Sequence, residues 1–172
     1  DVSVSGGTLS NFSGSGTTYT ALFTPTANST TSGTVSVANG VFTDATGNTN
    51  ADGSDSNNTL TLAIDTVIPT IALSANKTSL IAGDTTTLTF TLSKASTSFA
   101  VSDVAVTGGT LSNWTAVSST VYTAVFTPAA NSTTSGVVSV ASSKFSDAAG
   151  NQNNDGSDTN NSVTMTVDTI RP

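Results

Sequence analysis

The sequence predicts an all-β fold made of tandem β-sandwich domains, each with about seven strands and joined head to tail. Three observations lead to this prediction. A unit of about one hundred residues repeats along the chain, short apolar runs alternate with Thr and Ser, and Gly, Asn, Asp and Pro separate those runs. No segment shows a convincing helical period.

The repeat defines the domain boundaries. Its best-matched segments are 2–12 with 104–114, 19–25 with 122–128, 28–33 with 131–136, and 65–69 with 168–172. Residues 70–172 therefore form one complete repeat. Residues 1–69 form a partial repeat that lacks its first two strands, because it has no counterpart of residues 70–102.

Alternation of side chains predicts the strands of the complete repeat. Leu88, Phe90 and Leu92 should face the core, with the Thr residues between them facing away. The predicted strands are 70–74, 87–92, 101–107, 111–114, 121–127, 138–140 and 163–167. Their number and the size of the repeat are those of an immunoglobulin-like sandwich. We expect the matched aromatic positions to be core residues rather than a sugar-binding platform: Phe12 and Trp114, Tyr19 and Tyr122, and Phe23 and Phe126.

The partial repeat should expose a core face and an unpaired strand edge, which is unfavourable. Either the sequence is part of a longer chain, or another chain supplies the missing strands. We favour the first explanation.

Composition excludes several functions. The net charge is −7, and all eleven acidic residues are Asp. With only four cations the chain has no basic patch for nucleic acid or an anionic membrane surface, so we expect neither partner, and no apolar run is long enough for membrane insertion. Without Cys, His or Glu, we expect neither disulfides nor an enzyme. The lack of a signal peptide is expected of an internal piece of a secreted, extracellular protein.

The Asp residues carry the chemical signal. Five recur at matching positions of the two copies, namely Asp1 and Asp103, Asp44 and Asp147, Asp52 and Asp155, Asp55 and Asp158, and Asp65 and Asp168. Strand order places Asp103, Asp147 and the link residue Asp65 at one end of the complete domain. Crowded carboxylates repel one another, and calcium binds six to eight oxygen ligands. We therefore expect a calcium site at the joint between repeats.

The long loop before the last strand offers a second calcium motif. Asn151-x-Asn153-x-Asp155-Gly156 has the spacing of the first half of a calcium loop, and Asn48-x-Asn50-x-Asp52-Gly53 repeats it. The closing Glu is missing, although Asp158 and Asp55 are candidates to replace its charge. Asp, Asn and Gly also build ordinary solvated turns, so both interpretations of this loop stay open.

Four further motifs characterise the chain, at residues 85–93, 103–109, 145–151 and the joint 168–172. Together they resemble the bacterial Ig-like repeats of giant RTX-type and biofilm-associated adhesins, and the resemblance covers essentially the whole chain. It implies type I secretion, display on a Gram-negative cell surface, and a stalk whose repeats contact their neighbours in the same chain. It also implies calcium at the joints, with Asp65, Asp103, Asp147 and Asn151 as the matching positions.

Three functions follow in order of preference. The first is a calcium-stiffened structural spacer of a surface adhesin. The second is a filament or sheath subunit that assembles with other copies by strand complementation. The third is a glycan-binding module, which the Asn- and Asp-rich loops would permit.

Overall fold

Strands form where β-branched and aromatic residues alternate with small polar ones, and turns form at Gly and Asn. In the computed structural model, which describes all 172 residues, the strands are β1 (Val2–Ser5), β2 (Gly7–Ser15), β3 (Thr18–Pro25), β4 (Gly33–Val37), β5 (Thr59–Leu62), β6 (Ile71–Ala75), β7 (Ser79–Ile81), β8 (Thr86–Leu92), β9 (Val104–Thr107), β10 (Gly109–Ala116), β11 (Val121–Pro128), β12 (Gly136–Val140) and β13 (Ser162–Asp168). The only helical residues lie in three 3-10 turns, at 56–58, 101–103 and 159–161. The all-β prediction is confirmed.

The chain divides into unit 1 (Asp1–Val67) and unit 2 (Ile68–Pro172). Unit 2 is a sandwich of two four-stranded sheets, with strand orders β10-β11-β8-β6 and β7-β13-β12-β9. All pairs are antiparallel except β7 with β13, which is parallel. This arrangement matches the predicted immunoglobulin-like sandwich.

Unit 2 has eight strands rather than the predicted seven. The additional strand is β7, in which Leu80 is buried while Ser79 and Ile81 are exposed. After β6 the chain crosses from one sheet to the other, so β7 pairs with β13 instead of continuing beside β8. A strand of three residues is too short for its alternation to be recognised in the sequence.

The core of unit 2 follows the predicted alternation. Leu88, Phe90 and Leu92 are buried on β8, as are Tyr122 and Phe126 on β11. Phe99, which precedes β9, lies at the centre of an aromatic cluster. Its ring centroid is 5.9, 5.4, 5.1 and 5.3 Å from those of Phe90, Trp114, Tyr122 and Phe145.

Unit 1 reproduces only part of this sandwich. Its sheets are β1-β4-β5 and β2-β3, which correspond to β9-β12-β13 and β10-β11. Strands β6, β7 and β8 have no counterpart in unit 1. The sequence predicted that two strands are missing, and the short β7 is the third. Strand β5 ends at Leu62, whereas β13 runs on to Asp168, because only β13 has a parallel partner.

The missing strands also change the surroundings of the aromatic residues of unit 1. We predicted Phe12 and Tyr19 as core residues, but both are exposed. Their rings stack on each other with the centroids 5.7 Å apart. Their counterparts Trp114 and Tyr122 pack against Phe99, which unit 1 lacks. The prediction is therefore wrong for Phe12 and Tyr19 in unit 1 and right for Tyr122 in unit 2.

Candidate functional site

The connections that precede β6, β9 and β13 meet at one end of unit 2, which we call the loop end. The N–H of Ile71 in β6 donates to Asp155 in the loop before β13. Lys94, in the connection between β8 and β9, forms an ion pair with Asp147 in the same loop. The N–H of Ser146 donates to the hydroxyl of Ser98 at 3.0 Å. The loop end therefore holds Asp147 and Asp155 beside the first strand of the domain.

Asp147 is buried and surrounded by hydrogen-bond donors. One oxygen accepts the N–H groups of Ala149 and Asn151 at 3.0 and 2.9 Å. The other accepts the Asn151 amide at 3.1 Å and the ammonium of Lys94. Burial alone would raise the pKa of Asp147, but Lys94 and Asn151 outweigh it and lower the pKa to about 2. The carboxylate is thus ionised, paired and held rigidly.

Unit 1 contains the same turn without the lysine. Asp44 accepts the N–H groups of Thr46 and Asn48, each at 2.9 Å, and the Asn48 amide at 2.9 Å. The hydroxyl of Thr46 donates at 2.8 Å. The Asn48 side chain makes the largest contribution to a lowered pKa of Asp44. Gly47 and Gly150 close the two turns at φ of 91° and 92°, a conformation that favours glycine.

The side chains of the calcium-loop-like motif, Asn151, Asn153 and Asp155, have different hydrogen-bond partners. Asn151 donates to Asp147. Asn153 is fully buried, where its amide oxygen accepts the N–H of Lys144 at 2.8 Å and its nitrogen donates to Ala141 O at 2.9 Å. Asp155 accepts the Asn153 amide at 3.1 Å and the Ile71 N–H at 2.6 Å. These side chains satisfy the backbone of the loop and of β6 instead of converging on one point.

The remaining candidate residues have fewer contacts. Asp103 accepts the N–H of Ala100 at 2.8 Å at the start of β9. Asp158 and Asp55 precede the 3-10 turns without a side-chain capping bond. Asp52 is exposed and has only Asn50, at 3.4 Å, as a side-chain donor. Asp1 is also exposed.

The loop carboxylates already have partners within the protein. N–H donors occupy part of the lone pairs on Asp44, Asp147 and Asp155 that a cation would need. At Asp147 the ammonium of Lys94 already supplies the positive charge. Within neither unit do three Asp side chains form a group that could hold a metal ion.

The sequence of both units matches one protein family. The model of a bacterial Ig-like domain covers residues 1–61 and again residues 65–167. The chain belongs to the bacterial Ig-like domain family. Such domains typically occur in extracellular or surface proteins and typically have a structural rather than an enzymatic role. No curated protein matches the chain. No helix of the structure has the length and apolar character needed to cross a membrane.

Both repeats of this chain end in what we call a threonine lock, formed by Thr66 in unit 1 and Thr169 in unit 2. The Thr169 hydroxyl donates to Ala129 O at 2.7 Å and accepts the Ser132 N–H at 2.9 Å, and the Thr169 N–H donates to Ser132 O at 2.9 Å. Thr66 repeats all three bonds with Thr26 and Ser29. The residue before each Thr turns the chain, because Asp65 and Asp168 accept the N–H two residues later at 3.2 Å.

Sequence reasoning missed the threonine of the lock in both copies and Lys94. The threonine could have been found, because both copies of the Asp-Thr-x-x-Pro joint contain it. Lys94 could not, because its position falls in the segment that has no second copy.

Proposed function

We propose that the chain is an extender segment of a secreted bacterial surface adhesin. Its repeats would hold an adhesive region away from the cell and so support adhesion or biofilm formation. Two tandem domains of the bacterial Ig-like family support this proposal, together with motifs that resemble those of RTX-type adhesins. The main requirement of an extender is that the polypeptide leaves each domain in a defined direction.

The threonine lock is the observation that carries this proposal. It fixes the first residue of the link to the β3–β4 connection of unit 1 through three hydrogen bonds, and Pro69 follows three residues later. Proline fixes its own φ and favours an extended residue before it. The link therefore has few freely rotating residues, unlike a Gly/Ser linker.

We extend the proposal to calcium at the joint, restricted to Asp65 and Asp103. Sequence pairing supports it, since both have an Asp counterpart in the other copy, Asp168 and Asp1. Backbone carbonyls and water would complete the oxygen ligands that calcium needs. The bound ion would supply positive charge between carboxylates and restrict the link further.

Spin labels can test the stiffness of the link. The chain has no native cysteine, so Ser10→Cys and Thr164→Cys, both exposed, would carry one label in each unit. A narrow distance distribution is expected for the chain, and Thr66→Val should broaden it by about twofold because the lock is lost. Thr61→Val is the matched control, since Thr61 is exposed and its side chain has no hydrogen bond. Equal widths for both variants would remove the lock from the proposal.

The same labelled chain tests whether calcium binds at the joint. Millimolar calcium should narrow the distribution of distances between the two labels relative to EGTA, and Asp103→Asn should abolish that narrowing. Asp84→Asn removes the same charge from a turn that instead pairs with Lys77, so it should leave the response intact. An identical distribution with calcium and with EGTA would leave a spacer that needs no metal.

A further inference from the structure

The chain contains seven Asn-x-Ser/Thr triplets, the sequence to which N-linked sugars are attached. In all seven the Asn side chain is exposed and makes no hydrogen bond within the protein. The seventh triplet, at Asn76, lies in the turn between β6 and β7. The other six form three pairs at matching positions of the two copies, Asn11 and Asn113, Asn28 and Asn131, and Asn57 and Asn160.

The eight Asn residues outside these triplets have a different role. Six of them use their side chains in hydrogen bonds, as Asn50 and Asn153 do with backbone carbonyls. A seventh, Asn161, is buried. Asn154 alone is exposed without such a bond. The fold therefore uses most of the Asn side chains outside the triplets and leaves the amides inside them accessible to another molecule.

The triplets persist where the two copies differ. In the first pair the third residue is Ser13 in unit 1 and Thr115 in unit 2, and in the third pair it is Thr59 and Ser162. Ser and Thr are the two residues that complete such a triplet. Both exchanges therefore keep the acceptor sequence.

Asn113 lies at a β-bulge of β10, which is an edge strand of its sheet. The pairing with β11 shifts register between Ser112 and Thr115, so that two residues of β10 lie opposite one residue of β11. Asn113 has a φ of 53°, a conformation that Gly adopts more readily. Asn11 has the same place in β2, with a φ of 52°. At both bulges the chain carries an exposed amide where Gly would satisfy the backbone.

Apart from the bulge, both edge strands lack the common protections against pairing with another chain. Natural edge strands often carry a charged residue or Pro, or are covered by other parts of the protein. Strands β2 and β10 contain neither a charged residue nor Pro. A bulky, hydrated sugar at the bulge would occupy the space beside the unpaired backbone groups and keep a second strand away.

We propose that Asn11 and Asn113 are attachment sites for N-linked sugars, which cover the two edge strands. The sugar donor is a glycosyl pyrophosphate, and a separate enzyme transfers the sugar. The side-chain nitrogen of Asn bonds to the anomeric carbon of the sugar as the bond from that carbon to the phosphate oxygen breaks. The pyrophosphate leaves with the electron pair, and the amide loses one proton to a base of the enzyme.

Mass spectrometry of peptides from the chain, isolated from bacteria that produce it, tests the attachment. Asn11 and Asn113 should carry sugar, whereas Asn154, which is exposed but outside a triplet, should stay unmodified. Thr115→Ala should abolish the modification of Asn113 and leave that of Asn11 intact, and Thr115→Ser should retain both. The proposal would be overturned by sugar that is absent from Asn11 and Asn113, present at Asn154, or attached to Ser and Thr hydroxyls instead.

The covering role is measured by comparing the modified chain with the same chain synthesised without a sugar donor. Sedimentation at matched concentrations should show a monomer for the modified chain and larger species for the unmodified one. Ser10→Lys combined with Ser112→Lys places a charge at an exposed position of each edge strand, and should return the unmodified chain to a monomer. Equal association of the modified and unmodified chains would show that the sugars do not protect the edges.

Discussion

Replacing Asp155 with Ala should destabilise unit 2 strongly, although no apolar core residue is changed. Asp155 is 6% exposed and Ile71, whose N–H it accepts at 2.6 Å, is 1% exposed. Asp155→Ala leaves that N–H buried without an acceptor and also removes the Asn153 amide's bond at 3.1 Å. A hydrogen bond to a charged group contributes about 1.5–3 kcal/mol, so we expect the free energy of unfolding to fall by about 3 kcal/mol.

Urea unfolding followed by tryptophan fluorescence measures this loss. Trp114 is the only tryptophan and belongs to unit 2, so its signal reports on that unit alone. With an m value of about 1–3 kcal/mol/M, the midpoint should fall by about 1–3 M. Asp155→Asn keeps an acceptor, so its midpoint should lie between those of the original chain and of Asp155→Ala. Asp158→Ala, at an exposed position without a capping bond, should cost less than about 0.5 kcal/mol. Equal midpoints for Asp155→Ala and Asp158→Ala would refute the anchoring role.

Two further predictions concern the same loop. Because the pKa of Asp147 falls from 3.8 to about 2 on folding, its ionised form stabilises unit 2 above about pH 4 by about 2 kcal/mol, and this is lost as the pH falls from about 4 to about 2. Lys94→Met should lower the free energy of unfolding at neutral pH and reduce the further loss of stability at acid pH. Lys144→Met, at an exposed position, should change neither quantity. Urea midpoints at pH 7 and pH 3 distinguish the two variants. Gly156→Ala should cost more than about 3 kcal/mol, because its Cβ would lie 2.1 Å from Ser142 N, while Gly150→Ala meets no atom within 4 Å and should cost only the strain of its positive φ, about 1 kcal/mol. Similar midpoints for the two glycine variants would contradict the close approach at Gly156.

Much of the fold could be predicted from the alternation of apolar and polar side chains. Alternation at Leu88, Phe90 and Leu92 predicts an inward-facing strand, and the structure buries all three. Strand β7 could not be predicted, since its role depends on a parallel partner that lies more than eighty residues further along the chain. The exposure of Phe12 and Tyr19 follows from strands that the sequence lacks, not from the residues themselves.

The candidate site could be predicted less well, because residue type does not show where a side chain points. Asn153 has the spacing of a calcium ligand, yet it is buried and bonds to the backbone of Lys144 and Ala141. Asp147 was expected to need a cation, and Lys94 provides one from a distant connection. The ion pair depends on which connections share one end of the sandwich, and strand order had placed Asp147 there but not Lys94.

The two copies of the Asp-x-x-Gly-Asn turn separate local from tertiary causes. In both copies the Asp carboxylate accepts the N–H groups two and four residues later, and each Gly N–H donates to the Asp carbonyl at 3.1 Å. The turn forms in unit 1 without β6–β8 and without a lysine, so its own residues are sufficient for its geometry. Burial and the ion pair appear only in unit 2, where the connection carrying Lys94 is present. The turn is therefore a locally determined element that the complete domain then uses to fasten the β8–β9 connection to the loop before β13.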